Sequence, residues 1–460
     1  MKYWLLVIGL LISFSAQSSD LQIGEVRVID HKQLSFTVSW KHCWNLEGEK
    51  TPFNHDAVYF FLKASHNNGE AKTFVLKSIS SNSKALTVKL KSIGGLIETQ
   101  TQSDTSVDVT ILVDLEEPLL TGDWNINAYA LEMVQIPEGS FWVGDSLSNN
   151  TLGNRMGSPL LIDGSPKSVF QKGDSIASTN NAVSGFKSFY LMKQEICQAN
   201  YVDFLNSISE QEAELMKPSI LSLPVNSPQR NRCFITQIGK QFGVDANQNG
   251  ILNEGNDGGA IACNWLTNNQ LLAYLSWAGL RPLTELEFEK SCRGPLRSKP
   301  KEFAWGTICS TDANELVMAN TTFETASETG NDSSGLTNHA LIAGSRYIEG
   351  PIRSGFSFTQ KSNRIRAGAG FYGNADLSGN LWEQCLKVQH DTLLPLGNGT
   401  VIYPIEWGSA AYYIPRGGAW LSLVFNILNY GFRDLATSDR FYTDFDLDEP
   451  RGTVGGRGAL

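Results

Sequence analysis

Hydrophobic and polar residues alternate along the first part of the chain, from about residue 21 to residue 127. Every second position is apolar in three segments, which contain Leu34, Phe36, Val38 and Trp40, then Leu86, Val88 and Leu90, then Val107, Val109, Ile111, Val113 and Leu115. A period of two predicts strands with one buried face, whereas the continuous apolar run Val58–Leu62 predicts a strand buried on both faces. Short strands between Gly, Asn and Ser turns favour an antiparallel β-sandwich of about 100 residues.

The pattern changes in the remainder of the chain, where strands become sparse and a few helices can be recognised. The segments Gln198–Ser207 and Asn269–Gly279 each place apolar residues on one helical face. A third helix is predicted to begin at Thr284, which can cap the free N–H groups while Glu287 reaches back, and to end at Gly294. Few helices among many short, Gly-bounded strands predict an irregular, loop-rich α+β domain.

The first eighteen residues have the features of a secretory signal peptide. Lys2 precedes the short apolar run Leu5–Ile12, and small residues follow up to Ser18. The run is shorter than the ~20 residues of a membrane-spanning helix, and no later segment of the sequence is long and apolar enough to span a bilayer. We therefore expect cleavage near Ser18 and an exported protein, periplasmic, at the cell surface or secreted, that is not an integral membrane protein.

Composition narrows the possible partners and the redox chemistry. The 460 residues include 37 Lys and Arg against 47 Asp and Glu, a net charge of -10. An acidic chain without runs of basic residues is not expected to bind nucleic acid. The seven cysteines are scattered without a CxxC pair, so we expect buried thiols with room for one or two disulfides.

Six short motifs follow one another in the second part of the chain: Met133–Gly144, Glu195–Tyr201, Ala273–Gly294, Phe303–Gly306, Ser378–Glu383 and Arg416–Trp420. In this order they resemble the formylglycine-generating enzyme family, also called the sulfatase-modifying factors. The resemblance implies a fold related to C-type lectins. It also implies insertions near residues 208–262 and 321–365. The predicted organisation is a signal peptide (1–18), a β-sandwich (19–128) and a sulfatase-modifying-factor-like domain (129–460).

The resemblance also places the family's catalytic residues. Oxidase members hold copper(I) with two cysteines shortly after the Arg-Gly-Gly motif, and those positions fall at about Ser422 and Ile427, neither of which is a thiol. Soft thiolates are the ligands that copper(I) selects, and no cysteine follows Cys385. We therefore expect neither copper nor oxidase chemistry by the family route. The groove beside these positions would also contain Trp420 and Arg433.

A calcium site is implied by the same resemblance. The family's ligands correspond to the carboxylates of Asp376 and Glu383 and to the backbone carbonyls of Gly379 and Leu381. Hard oxygen ligands in a tight loop suit Ca²⁺, and the alternative is a solvated acidic turn. The family's other calcium site begins at a position that matches Asn320.

A second calcium pattern lies inside the first insertion, where the residues follow the opening of an EF-hand loop. Gly250 stands at the sharp turn of this pattern, but position twelve is Asn256 instead of a bidentate Glu. The predicted oxygen ligands are Asp245, Asn247, Asn249, Ile251 through its carbonyl, and Asp257. The alternative is an ordinary Asn- and Gly-rich loop.

These features predict a non-catalytic, calcium-stabilised module that binds a protein or glycan ligand or acts as a scaffold. The first alternative is a formylglycine-generating oxidase that converts a sulfatase cysteine to formylglycine. The second is a carbohydrate-binding protein, by analogy with lectins alone.

Overall fold

Ten strands lie among the described residues of the N-terminal region, in which the alternation predicts short strands. The computed structural model describes residues 21–46, 54–66, 71–100, 105–148, 150–171, 173–179, 184–340, 347–359, 363–390, 394–422, 435–440 and 447–460. The strands are β1 (Gln22–Ile23), β2 (Arg27–Asp30), β3 (Gln33–Cys43), β4 (Asp56–His66), β5 (Lys72–Thr73), β6 (Leu76–Ser81), β7 (Leu86–Lys91), β8 (Gly94–Thr99), β9 (Thr105–Leu115) and β10 (Trp124–Ile136). The predicted signal peptide lies outside the described residues.

The N-terminal strands belong to two sheets that share one apolar core. One sheet has the order β1-β3-β9-β6, with β2 also paired to β3, and the other contains β7, β8, β4 and β10, with β5 paired to β4. The strands predicted from alternation are confirmed, although Leu90 on β7 is 46% exposed. The shared core includes Phe36 and Val38 of β3, Ile111 of β9 and Phe60 of β4.

Short strands and four α-helices lie in the other described residues. The strands are β11 (Phe141–Val143), β12 (Leu152–Gly153), β13 (Leu160–Ile162), β14 (Lys167–Gln171), β15 (Asp174–Thr179), β16 (Phe189–Met192), β17 (Ile235–Ile238), β18 (Gln241–Val244), β19 (Arg281–Pro282), β20 (Cys309–Asp312), β21 (Leu316–Val317), β22 (Thr325–Ala326), β23 (Ser334–Thr337), β24 (Trp382–Leu386), β25 (Tyr413–Arg416), β26 (Val454–Gly455) and β27 (Gly458–Ala459). The helices are α1 (Gln198–Ser207), α2 (Glu210–Met216), α3 (Asn268–Trp277) and α4 (Glu285–Arg293). This strand-rich, loop-rich arrangement confirms the predicted α+β class.

Helix α4 begins with the predicted capping box. Thr284 Oγ1 accepts the N–H of Glu287 at 3.2 Å, and Glu287 Oε2 accepts the N–H of Thr284 at 3.1 Å. The helix ends before Gly294, whose φ of 63° lies in the left-handed region that favours glycine. The sequence therefore sets both ends of α4, the helix that carries the family's most specific motif.

Strand β10 joins the N-terminal strands to the rest of the chain. Its residues Trp124–Val134 pair with β4, and its last four residues, Met133–Ile136, pair with β16. The resulting eight-stranded sheet has the order β19-β27-β16-β10-β4-β8-β7, with β5 beside β4. It therefore includes strands from both predicted regions, and β10 itself crosses residue 128.

Candidate metal centre

Three carboxylates and one guanidinium are buried together beside the start of β24. Asp376 and Glu383 come from the predicted loop, Glu195 precedes α1, and Arg457 comes from the C-terminal segment; none is more than 6% exposed. Arg457 Nε donates to Glu383 Oε1 at 2.6 Å. The backbone N–H of Gly355 donates to Asp376 Oδ2 at 2.6 Å. Residues far apart in the chain thus converge on the predicted ligand pair.

The electrostatics of this cluster favour an additional cation. Burial raises the pKa of all three carboxylates, and mutual repulsion raises the pKa of Glu195 and Glu383 further, while Arg457 lowers all three and Arg353 also lowers that of Asp376. Glu383 Oε2 is buried without a hydrogen-bond partner among the described residues. Excess buried negative charge and an unused carboxylate oxygen fit a hard cation such as Ca²⁺.

The loop backbone adopts an uncommon conformation to place these groups. Asp376, Gly379 and Asn380 have φ values of 56°, 96° and 61°, in the region that side chains generally avoid. A Cβ atom at Gly379 would lie 2.1 Å from Thr337 Oγ1 and 2.8 Å from the carbonyl oxygen of Asn338. The position therefore requires glycine for conformation and for space.

Glu195 and Asn380 belong to the site although the sequence did not identify them as site residues. Asn380 Nδ2 donates to Glu195 Oε2 at 2.5 Å, and the N–H of Leu381 donates to Glu195 Oε1 at 3.0 Å. Asn380 Oδ1 accepts the N–H of Ile352 at 2.9 Å. Both residues lie within the family motifs, and this was the only indication in the sequence that they could belong to a site. Their contact joins segments 185 residues apart, which no local pattern predicts.

At the other implied calcium position, the structure brings a guanidinium to Asn320. Arg232 Nη2 donates to Asn320 Oδ1 at 2.9 Å and pairs with Glu324 Oε2 at 2.5 Å. Asp332, the distant aspartate that the resemblance implies for this site, is on the surface, where it pairs with Arg366 at 2.9 Å. Arg232 therefore supplies positive charge at this position from within the chain.

The first of the two positions equivalent to the family's thiols, Ser422, lies in a packed segment. Ser422 is buried, and its Oγ accepts the N–H of Ala419 at 2.9 Å. Trp420, predicted as a groove residue, is 5% exposed, and its indole N–H donates to the carbonyl of Gly452 at 2.8 Å. Trp420 and Ser422 are therefore buried and do not line an open groove. Ile427 and Arg433 lie outside the described residues.

All seven cysteines are free, so the one or two disulfides for which the sequence left room are not formed. Burial raises the pKa of six thiols, namely those of Cys43, Cys197, Cys233, Cys263, Cys292 and Cys385. Thiols with raised pKa values stay protonated near neutral pH and are poor metal ligands. Within the described ranges no three His, Cys, Asp or Glu side chains are grouped to hold a metal, so a calcium site would also need amide or backbone oxygens.

The predicted ligands of the first insertion lie close to one another. Both oxygens of Asp245 accept backbone N–H groups, from Asn249 and from Gly250, each at 3.2 Å. Asp257 Oδ2 accepts the N–H of Glu254 at 2.8 Å. Asp257 is fully buried, and burial followed by repulsion from Asp245 and Glu254 raises its pKa, against backbone N–H groups that lower it.

The Arg-Gly-Gly motif is fixed to helix α4 by a buried ion-pair network. Arg416 pairs with Glu285 at 2.9 Å and with Glu289 at 2.8 Å. Arg440 pairs with Glu285 at 2.7 Å, and Arg293 with Glu289 at 3.0 Å. Burial alone would raise the pKa of Glu285, but Arg440 and Arg416 lower it overall. These pairs hold the last family motif, Arg416–Trp420, against the third, Ala273–Gly294.

The order of motifs, the capping box of α4 and this network define a sulfatase-modifying-factor type of domain. The family described as the sulfatase-modifying factor enzyme 1-like domain matches residues 125–444, and the chain belongs to this family. No curated protein matches the chain. The described helices include none that is both long and apolar enough to cross a membrane.

Proposed function

We propose that this protein is an exported, non-catalytic member of its family that acts as a calcium-stabilised scaffold or ligand-binding module. The observation that carries the proposal is the buried hydroxyl of Ser422 at the first thiol position, engaged with the N–H of Ala419. A neutral hydroxyl cannot replace a soft thiolate as a copper(I) ligand. The second position, at about Ile427, has an aliphatic residue in the sequence.

The preserved framework supports a role in binding. The Arg416 network retains the buried ionic contacts of the domain core, and breaking such a network typically costs several kcal/mol. When bound, Ca²⁺ would supply positive charge in the cluster of Asp376, Glu383 and Glu195. Asp376 and Glu383 would be its carboxylate ligands, with the carbonyls of Gly379 and Leu381, and Asn380 would orient Glu195.

The N-terminal strands supply the additional surface of the proposed module. The shared core of the two sheets supports a β-sandwich packed on a C-type-lectin-related domain. Among the described strands, β2 pairs only with β3, and its Val28 and Ile29 are 52% and 55% exposed. An exposed apolar edge strand is a surface to which a protein segment can add by strand pairing.

The carbohydrate-binding alternative is less well supported. This alternative needs exposed tryptophan rings, but the tryptophans of the described ranges are all buried or half-buried. Retention on a glycan panel that is lost with a chelator would favour this alternative over a protein ligand.

The proposal is tested with a cysteine-containing sulfatase peptide, copper and oxygen, with aldehyde formation followed by mass spectrometry. We expect no conversion by this protein, because the thiol pair is missing, and conversion by an oxidase member of the family as the positive control. The double variant Ser422→Cys, Ile427→Cys should acquire copper(I) binding if the framework is otherwise preserved. Conversion by the unaltered protein would overturn the proposal. Conversion that survives replacement of all seven cysteines by serine would also exclude any thiol mechanism.

A further inference from the structure

The loop of residues 245–257, called here the insertion loop, lies in the first insertion and has no role in the function proposed above. It begins at the end of β18 and is fixed at both ends. The N–H of Val244 donates to Asn253 Oδ1 at 3.0 Å, and the N–H of Asn253 donates to the Val244 carbonyl at 2.9 Å. Directly after the loop, the N–H of Gly258 donates to the carbonyl of Asn320 at 2.8 Å. The loop is therefore held in place before any ligand binds.

The amide side chains of the insertion loop form hydrogen bonds through both their nitrogen and their oxygen atoms. Nδ2 of Asn247 and of Asn249 donate to Glu254 Oε2 at 3.1 Å and 2.5 Å. Asn247 Oδ1 accepts the N–H of Asn249 at 3.0 Å, and Asn249 Oδ1 accepts the N–H of Ile251 at 2.8 Å. Each amide oxygen has a second lone pair, so each can bind a cation without losing its hydrogen bond.

Asp257 carries the observation that points to a ligand. Its residue is 0% exposed, yet its Oδ1 has no hydrogen-bond partner within the described ranges. Its other oxygen, Oδ2, accepts the N–H of Glu254 at 2.8 Å, so the carboxylate is directed into the loop. Asp245 and Glu254 repel it there, and the backbone N–H of Asn247 attracts it. An unsatisfied buried carboxylate oxygen is costly unless a cation or a donor binds it.

The charges of the insertion loop have no counter-ion in the described structure. Asp245, Glu254 and Asp257 form no ion pair with any described Lys, Arg or His residue. Asp245 is 7% exposed, while Asn247 and Asn249 are exposed, so an ion can enter from solvent and lose its water on the inner side.

We propose that the insertion loop is a calcium site that Asp257 closes at position thirteen, in place of the Glu that an EF-hand has at position twelve. Asp245, Asn247, Asn249 and the carbonyl of Ile251 supply the other oxygens, as in positions one, three, five and seven of an EF-hand. The closing ligand is displaced by one residue because Asn256, at position twelve, has no carboxylate. Its side-chain oxygen instead accepts a hydrogen bond from Asn247 at 3.2 Å. Calcium is favoured over magnesium because many protein oxygens are offered together, and Ca²⁺ takes more oxygen ligands than Mg²⁺, which usually keeps several waters.

The site is tested by calorimetric titration of the full chain with CaCl₂. Asp245→Asn and Asp257→Asn preserve size and remove charge, and we expect each to bind one equivalent fewer than the unaltered protein. The matched control Asp163→Asn lies in another loop, where Asp163 pairs with Lys167, and should bind the full number. Glu383→Gln removes a ligand of the other proposed site, so a deficit in that variant is separate from a deficit in the insertion loop.

Proteolysis within the loop reports on calcium binding at this site alone. Because each variant is compared with and without Ca²⁺, the measurement can also be used for a variant of reduced stability. A glutamyl endopeptidase can cleave after Glu254, and we expect Ca²⁺ to slow that cleavage at least tenfold in the unaltered chain and in Glu383→Gln, and not in Asp245→Asn. Equal stoichiometry in the unaltered chain and both loop variants, together with cleavage at Glu254 that Ca²⁺ does not change, would overturn the proposal. Equal protection by Mg²⁺ and Ca²⁺ at the same concentration would overturn the assignment to calcium.

Discussion

A methyl group at position 379 would have no space in the native loop. Its Cβ would lie 2.1 Å from Thr337 Oγ1, and the residue has a φ of 96°, where an L side chain costs about 1–2 kcal/mol. Overpacking adds roughly 1–3 kcal/mol. We therefore predict that Gly379→Ala lowers the free energy of unfolding by about 2–5 kcal/mol, measured by urea denaturation.

Gly157 is the matched control for that substitution. Its φ is 71°, and a Cβ there would meet nothing within 4 Å, so Gly157→Ala isolates the conformational cost of about 1–2 kcal/mol. If both variants lost the same amount, the contact with Thr337 would not be the cause. The Gly379 variant would then also be expected to keep the geometry of the Asp376 loop.

At the scale of single residues, the sequence predicted candidate ligands but not which distant side chains contact them in the folded protein. Asp376 and Glu383 are only seven positions apart, and a motif connects them. Glu195 and Arg457 reach the same cluster through tertiary folding, and no local pattern indicates this contact. Arg232 beside Asn320 has the same explanation, because its position follows from the path of the first insertion.

Strand β4 shows how an element acquires two buried faces. Phe60 faces the core shared with the other N-terminal sheet, whereas Phe61 packs edge-to-face on Trp277 of α3, with ring centroids 4.9 Å apart. Lys63 lies on the second face and is 2% exposed. Its Nζ donates to the carbonyls of Trp277 at 2.8 Å and Gly399 at 2.6 Å. The apolar run predicted the double burial but gave no indication of the lysine.

The buried lysine gives β4 a pH-dependent contribution to stability. Burial lowers the pKa of Lys63 from 10.5 to about 7. Between these values the unfolded chain binds the proton and the folded chain does not, so stability from this group rises as pH increases from about 7 to about 10. We predict that the unfolding free energy of the unaltered protein rises relative to Lys63→Met by up to ~1.4 kcal/mol per pH unit, measured by urea denaturation at several pH values.

Lys63→Met also leaves two carbonyls without their donor, which changes the unfolding free energy at every pH. The comparison therefore uses only the slope of the unfolding free energy with pH. Lys240→Met is the control because Lys240 is exposed and pairs with Glu210 on the surface. Parallel profiles for the unaltered protein and Lys63→Met would show that Lys63 keeps its charge in the folded state.

Other elements show where sequence patterns are insufficient. Helices α1, α3 and α4 have apolar faces or caps that identify them, and all three were predicted. Helix α2 was not predicted, although Ser209 and Glu212 form a capping box visible in the sequence. The β17–β18 hairpin was also missed, since its turn contains only Gly239 and Lys240 and its strands are four residues long. Both lie in the first insertion, where the family resemblance provides no guide.

At the scale of the whole molecule, the N-terminal strands and the family domain share one sheet and one apolar core. Ala57, Tyr59 and Leu96 of the N-terminal strands belong to the same core cluster as Tyr201 and Trp277 of the family domain. The family match likewise begins within β10, at residue 125. The sequence predicted two domains because the period of the apolar pattern changes, but a change of period does not reveal a shared sheet.

A chain that begins at residue 129 should therefore fail to fold as an independent domain. It would lose β4, the pairing partner of β10 along Trp124–Val134, and would expose the aromatic surface around Trp277. We expect aggregation, or the absence of a cooperative thermal transition in near-UV circular dichroism. A chain that begins at residue 19 keeps all ten N-terminal strands and should unfold in a single transition. A soluble 129–460 chain with the melting temperature of the longer chain would show instead that the shared sheet contributes little, and that the change of period does mark two independent domains.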